Sequence, residues 1–157
     1  MIRLDEYFSG HAGHSEISES IKQNAIELLE SINQLMLEAQ EDGVGFTINP
    51  KTRSYISGSG NGGFRPSDSK VGASKSKHKE GKAVDIFDPD REFASWCLAH
   101  KSKLADAGLY MENPQWTINR SGIGGWVHLQ NAAPGSGMIV FRPSISEPLG
   151  PPPPQWA

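Results

Sequence analysis

Between residues 15 and 42 apolar side chains recur every three or four positions: Ile17, Ile21, Ala25, Leu28, Leu29, Ile32, Leu35 and Met36. That spacing puts them on one face of a helix and predicts a single long amphipathic helix that covers a sheet. Ser15 is the expected N-cap, Glu16 and Glu19 suit the positive end of the helix dipole, and Asp42-Gly43 stops the run. The period then shortens. Gly45-Phe46-Thr47-Ile48 and Ser54-Tyr55-Ile56 read as short strands, broken by Asn49-Pro50 and followed by the glycine-rich loop of residues 57 to 63. Residues 83 to 88, Ala-Val-Asp-Ile-Phe-Asp, predict a short buried strand. Residues 90 to 107 predict a second helix with Phe93, Trp96, Cys97 and Leu104 turned inward, ended by Gly108. Leu109-Tyr110-Met111, residues 126 to 130 (Trp-Val-His-Leu-Gln) and Met138-Ile139-Val140-Phe141 supply further strands. The expected fold class is α+β: a small antiparallel sheet with flanking helices, covered on one face by the 15 to 42 helix and open on the other.

Length changes this picture little, since 157 residues make one domain with one core. The expected domain is 1–143, followed by a proline-rich C-terminal tail, 144–157, in which Pro151 to Pro154 favour an extended polyproline conformation. Such a tail serves as a strap or spacer, or as a docking segment for a virion or other protein partner.

At 36% hydrophobic, 21% charged and a formal charge of -3, the chain is globular, and its charge suggests no nucleic-acid partner. Lys70, Lys75, Lys77, Lys79 and Lys82 are the nearest approach to a basic patch and read as a solvated loop. The single cysteine, Cys97, excludes an internal disulfide and sits in an apolar run as a core residue. The N-terminus, MIRLDEYFSG, has no signal-peptide pattern, and no segment reaches the roughly 18 apolar residues of a membrane span. Synthesis in the cytoplasm without membrane insertion is therefore expected.

The chemistry concentrates in Ser76-Lys77-His78-Lys79-Glu80-Gly81-Lys82-Ala83-Val84-Asp85. A turn at Gly81 followed by a strand can bring His78 and Asp85 to one point, which is metal-site geometry. A catalytic zinc needs three protein ligands, and His128, on a short strand between apolar neighbours, is the best third. Spacing alone leaves a metal site and an accidental grouping both open. His11, His14 and His100 read as solvated side chains.

The string Ser76-x-His78-x-x-Gly81-x-Ala83-x-Asp85, followed about forty residues on by Trp126-x-His128, resembles the signature of the D-alanyl-D-alanine carboxypeptidase-like and hedgehog-type zinc peptidase superfamily. Gly63-Phe64-Arg65-Pro66 is similar to that family's Gly-aromatic-Arg segment, and several later stretches resemble its small phage-type members. The likeness spans roughly residues 18 to 143. It implies a hedgehog/DD-peptidase-like sheet, one zinc ion held by His78, Asp85 and His128, and Arg65 binding a substrate carboxylate or polarised carbonyl. It further implies a peptidoglycan peptide substrate, met in the cell wall after release or from a virion.

Two departures accompany the likeness. Related enzymes place a glutamate three residues before the last histidine, or a histidine five before it, where this chain has Gly125 and Ile123. Glu112 is the best substitute base, with a structural role equally open, and Asp88 and Glu80 stand behind it. The glycine-rich insertion lets either Ser57-Gly58 or Gly62-Gly63 form the turn that leads to Arg65. Two functions follow: an endolysin-like zinc metallopeptidase, carboxypeptidase or endopeptidase, acting through metal-activated water, or a catalytically inactive zinc-binding module with a wall-binding or virion-structural role.

Overall fold

The computed structural model describes residues 1 to 134 together with 140 and 141. The expected tail, 144–157, lies outside the described residues, as do Met138 and Ile139 of the last expected strand. Along the chain run α1 (Leu4–Phe8), α2 (Glu19–Glu41), β1 (Ala83–Asp88), α3 (Glu92–Ala99), α4 (Lys101–Asp106), β2 (Tyr110–Glu112), β3 (Gly125–Gln130) and β4 (Val140–Phe141). The strands form one antiparallel sheet in the order β1-β3-β2-β4. The fold is α+β. No helix of the described residues is long and apolar enough to cross a membrane.

Alternation along the strands divides the sheet into two chemically different faces. Val84 and Ile86 of β1, Val127 and Leu129 of β3 and Met111 of β2 are all fully buried. They share one core cluster with Leu28, Ile32, Leu35 and Met36 of α2 and with Phe93 and Cys97 of α3. The other face carries Asp85 and Phe87, then Trp126, His128 and Gln130, then Tyr110 and Glu112. Burial of the first face holds the register, so the polar side chains are fixed on the second.

Local hydrogen bonding moves several predicted boundaries. The cap of α2 is Ser18 and not Ser15: the Ser18 hydroxyl accepts the Ile21 N–H at 3.2 Å, while the Ser18 N–H turns back to Glu16 O. The expected strands at 45 to 48 and 54 to 56 are irregular, joined only by the bridges Asn49↔Ser54 and Ile56↔Ile86. The Asn49 side chain ties residues 49 to 58 into a loop: its amide donates to Ile56 O and Gly58 O and its oxygen accepts the Lys51 N–H. A side chain that binds its own backbone competes with a ladder.

The predicted 90 to 107 helix is two helices broken at His100, whose ring Nδ1 donates to Trp96 O at 2.8 Å and whose backbone leaves the helical region. Phe93, Trp96, Cys97 and Leu104 are buried as expected. Asp88, at the end of β1, accepts the N–H groups of Phe93 and Ala94 at 3.0 and 2.9 Å, and so ties that strand to α3. Asp88 lies on the core side of β1 with Val84 and Ile86, away from Asp85, and Glu80 pairs with Lys77 at the surface.

Candidate metal centre

His78 is delivered by a 3-10 turn, Lys77–Glu80, that Ser76 caps by accepting the His78 N–H. The turn closes at Gly81, where φ is +73° and an added methyl would lie 2.7 Å from the Ile21 carbonyl oxygen. Glycine is required there on both counts. Asn24 of α2 donates to Glu80 O, so the long helix holds the turn directly.

Asp85 and His128 face each other across β1 and β3. The N–H and C=O of Asp85 point away from β3, to Gly62 O at 2.8 Å and from Ser57 N at 2.9 Å. The Asp85↔His128 pair is thus a non-hydrogen-bonded one, the type in which side chains approach most closely. Residues 57 to 62 run along the free edge of β1; a turn over residues 58 to 61, followed by bends at Gly62 and Gly63, leads to Arg65.

The side chains converge. Asp85 Oδ1 lies 2.9 Å from His128 Nδ1 and 3.3 Å from His78 Nε2, while Asp85 Oδ2 accepts from Arg65 Nη2 at 3.1 Å. All three ligand candidates are buried. His78 Nδ1 is 2.8 Å from the Gly63 carbonyl, an oxygen that can only accept, so that nitrogen carries the ring proton. His78 Nε2 is then a bare lone pair, fully enclosed and without a hydrogen-bond partner. A buried lone pair facing a carboxylate oxygen is costly as it stands, and a cation shared by both removes the cost. His78, Asp85 and His128 could hold a metal ion.

Electrostatics agree with that role. Burial lowers the His78 pKa against the pull of Asp85, which keeps the ring neutral. Burial alone would raise Asp85, but its close approach to His78 and its hydrogen bond with His128 overcome that and hold the carboxyl well below the usual range. Burial works to lower His128, yet the hydrogen bond and charge of Asp85 outweigh it and the net shift is upward. A proton on His128 Nδ1 is therefore the main competitor of a metal. Metal affinity is expected to be flat above the raised His128 pKa and to fall about tenfold per pH unit below it, as one proton is displaced per ion. Metal titrations between about pH 8 and pH 5.5 check this; an affinity that does not change would contradict it.

Glu112 ends β2, where the register Tyr110↔Gln130 and Met111↔Leu129 continues to place it opposite His128. Asp85, His128 and Glu112 so form one row across three strands. Glu112 is half-buried, and burial, with Asp85 adding to it against His128 and Arg65, pushes its pKa up to about 7. Arg65 is buried and spends three of its five N–H groups on Asp85, Asn61 O and Val71 O. A cleft of about 500 Å³ reaches Arg65 and Asp85 and is lined further by Phe87, Trp126, Lys51 and Asn119.

No family model, curated protein or solved structure matches the chain.

At Gly125 the fold leaves no room for a side chain. A Cβ on Gly125 would overlap the Thr117 carbonyl oxygen and the Arg91 guanidinium. Arg91 is itself committed to Thr117, Trp126 and Pro114 carbonyls. Ile123 is 78% exposed. Gly125→Glu is expected to lower stability by about 1–3 kcal/mol through overpacking, without supplying a base. A melting temperature equal to that of the wild type would contradict this.

His11 and His14 depart from the solvated reading. His11 Nε2 lies 2.9 Å from Asn61 Oδ1, and both rings pack against Phe64. His14, Glu16 and Asp68 form another grouping, but His14 Nδ1 accepts the Glu16 N–H and the Glu16 carboxylate accepts the Ser67 N–H. Gln130 was not foreseen as a site residue. Its place two positions after His128 on a strand, hence on the same face, is the signal that points to it.

Proposed function

We propose that this chain is a zinc peptidase that hydrolyses amide bonds next to D-amino acids in peptidoglycan stem peptides. The observation that carries the reading is the enclosed, unpartnered Nε2 of His78 aimed at Asp85 Oδ1. Two imidazoles and one carboxylate suit zinc, whereas calcium and magnesium take oxygen donors. The resemblance of residues 76 to 85 and 126 to 128 to the zinc peptidase signature supports the same choice.

When bound, zinc would polarise a carbonyl and acidify water to near neutral pH. Glu112, in the same cross-strand row, would take the proton from that water and return it to the departing amine. Its upward shift to about 7 leaves it able to do both near neutrality. Arg65 orients Asp85 with one edge and, lining the cleft, keeps two N–H groups for a substrate carboxylate or carbonyl oxygen. The approach over Phe87 and Trp126 suits an extended peptide.

One observation favours a second reading, a zinc-binding wall or virion module without turnover: Gly125 cannot be replaced by the usual acid. Incubation of zinc-loaded protein with purified stem peptides, followed by mass spectrometry, separates the two. New amino termini beside D-residues support the peptidase, and intact peptides with stoichiometric zinc on the protein overturn it.

A further inference from the structure

We infer that Gln130 is a positioning residue that selects the metal-binding tautomer of His128. The inference rests on the zinc reading above and concerns the side of the imidazole that faces away from the site.

Gln130 is completely buried, opposite Ala83 on one side and Tyr110 on the other. Its Nε2 donates to Ala132 O at 2.8 Å. That bond fixes the orientation of the amide, so its oxygen is the atom 2.9 Å from His128 Nε2. An amide oxygen only accepts, and His128 must therefore carry a proton on Nε2 to satisfy it.

The consequence lies at the other nitrogen. Asp85 Oδ1, 2.9 Å from His128 Nδ1, would by itself draw the ring proton of a neutral imidazole onto Nδ1. That tautomer closes the nitrogen to a metal. Gln130 opposes it: the bond it offers Nε2–H exists only when the proton sits on the far side of the ring, with the Nδ1 lone pair turned to the site. The two metal-facing histidines are then set in the same way by different devices. A backbone carbonyl, Gly63 O, fixes His78 with Nε2 free, and a side-chain amide fixes His128 with Nδ1 free. Partners of this kind are worth roughly 10–100-fold in metal affinity. His78 has an acceptor that no substitution removes, whereas Gln130 can be tested directly.

The experiment compares zinc dissociation constants of the full chain as wild type, Gln130→Met and Gln130→Glu. Methionine keeps the length and bulk but offers no strong acceptor, whereas glutamate keeps an acceptor at His128 Nε2, loses the donor to Ala132 O and adds a negative charge. Gln130→Met is expected to bind zinc about 10–100-fold more weakly, and Gln130→Glu to stay near the wild type. Nitrogen-15 spectra of the zinc-loaded proteins give a readout that a packing role would not move. A protected His128 Nε2–H is expected in the wild type and in Gln130→Glu, and its loss to solvent exchange in Gln130→Met. If Gln130→Met does not fold, the Gln130→Glu affinity and the wild-type Nε2–H signal carry the decision. Equal affinities for wild type and Gln130→Met, or a zinc-loaded wild type protonated at His128 Nδ1, would overturn the role while leaving the zinc site standing. A wild type that takes up no zinc would overturn both.

Discussion

The His78→Ala protein is expected to lose stoichiometric zinc binding while keeping its fold. His78 supplies the one nitrogen whose lone pair has no other use, so its removal leaves a two-ligand remnant, Asp85 and His128, that already satisfy each other at 2.9 Å. Two ligands do not make a zinc site, and the proton that His128 then shares with Asp85 competes with the metal on better terms. Structurally the substitution leaves Gly63 O without its donor and a void in a buried corner, a cost of about 1–3 kcal/mol. The apolar cluster of α2, α3 and the inner sheet face keeps all of its own side chains in the variant. Equilibrium dialysis at equimolar zinc, with circular dichroism on the same sample, checks both halves. Retention of one zinc per chain would show that the ion sits elsewhere.

Glu112→Gln is expected to keep the zinc and lose hydrolysis, with kcat down by about 10²–10⁴-fold. Glutamine has the shape of glutamate but accepts no proton, so the variant isolates proton transfer from packing. Glu112 is not among the three converging ligands, and its environment already disfavours its charge, with a pKa of about 7 before any metal is considered. A dication beside it would draw that value down and leave the carboxylate ready to act at neutral pH. Removal of a partly buried charge should also leave stability unchanged or slightly higher. Stem-peptide cleavage measured on zinc-loaded wild type and variant decides the matter. Activity within a few-fold of the wild type would move the base to another residue.

How much of this was legible beforehand depends on the range of the forces involved. The 15 to 42 helix and the 83 to 88 and 126 to 130 strands follow from periodicity, because each buries a continuous apolar face and periodicity records that burial. His78, Asp85 and His128 were legible from their motif, and the structure brings them to one point. Single side chains acting on backbone were not. Asn49 ties residues 49 to 58 into a loop where the sequence predicts a strand at 54 to 56, His100 divides an expected helix, and Ser18 rather than Ser15 caps α2, each through bonds that a propensity argument does not see. α1 has only five residues, too few for a periodic signal, yet its Tyr7 hydroxyl reaches the Ala83 carbonyl. Gly125 could be read from the sequence, but the crowding by Thr117 and Arg91 that leaves no room for a side chain there needed the fold.

Zinc K-edge absorption on protein loaded with one equivalent tests the centre of this account most directly. Two imidazole nitrogens and one carboxylate oxygen at about 2.0–2.2 Å, with the fourth position held by a water, are predicted. A shell without imidazole, a sulfur neighbour, or no saturable uptake at one equivalent would contradict the assignment of His78, Asp85 and His128.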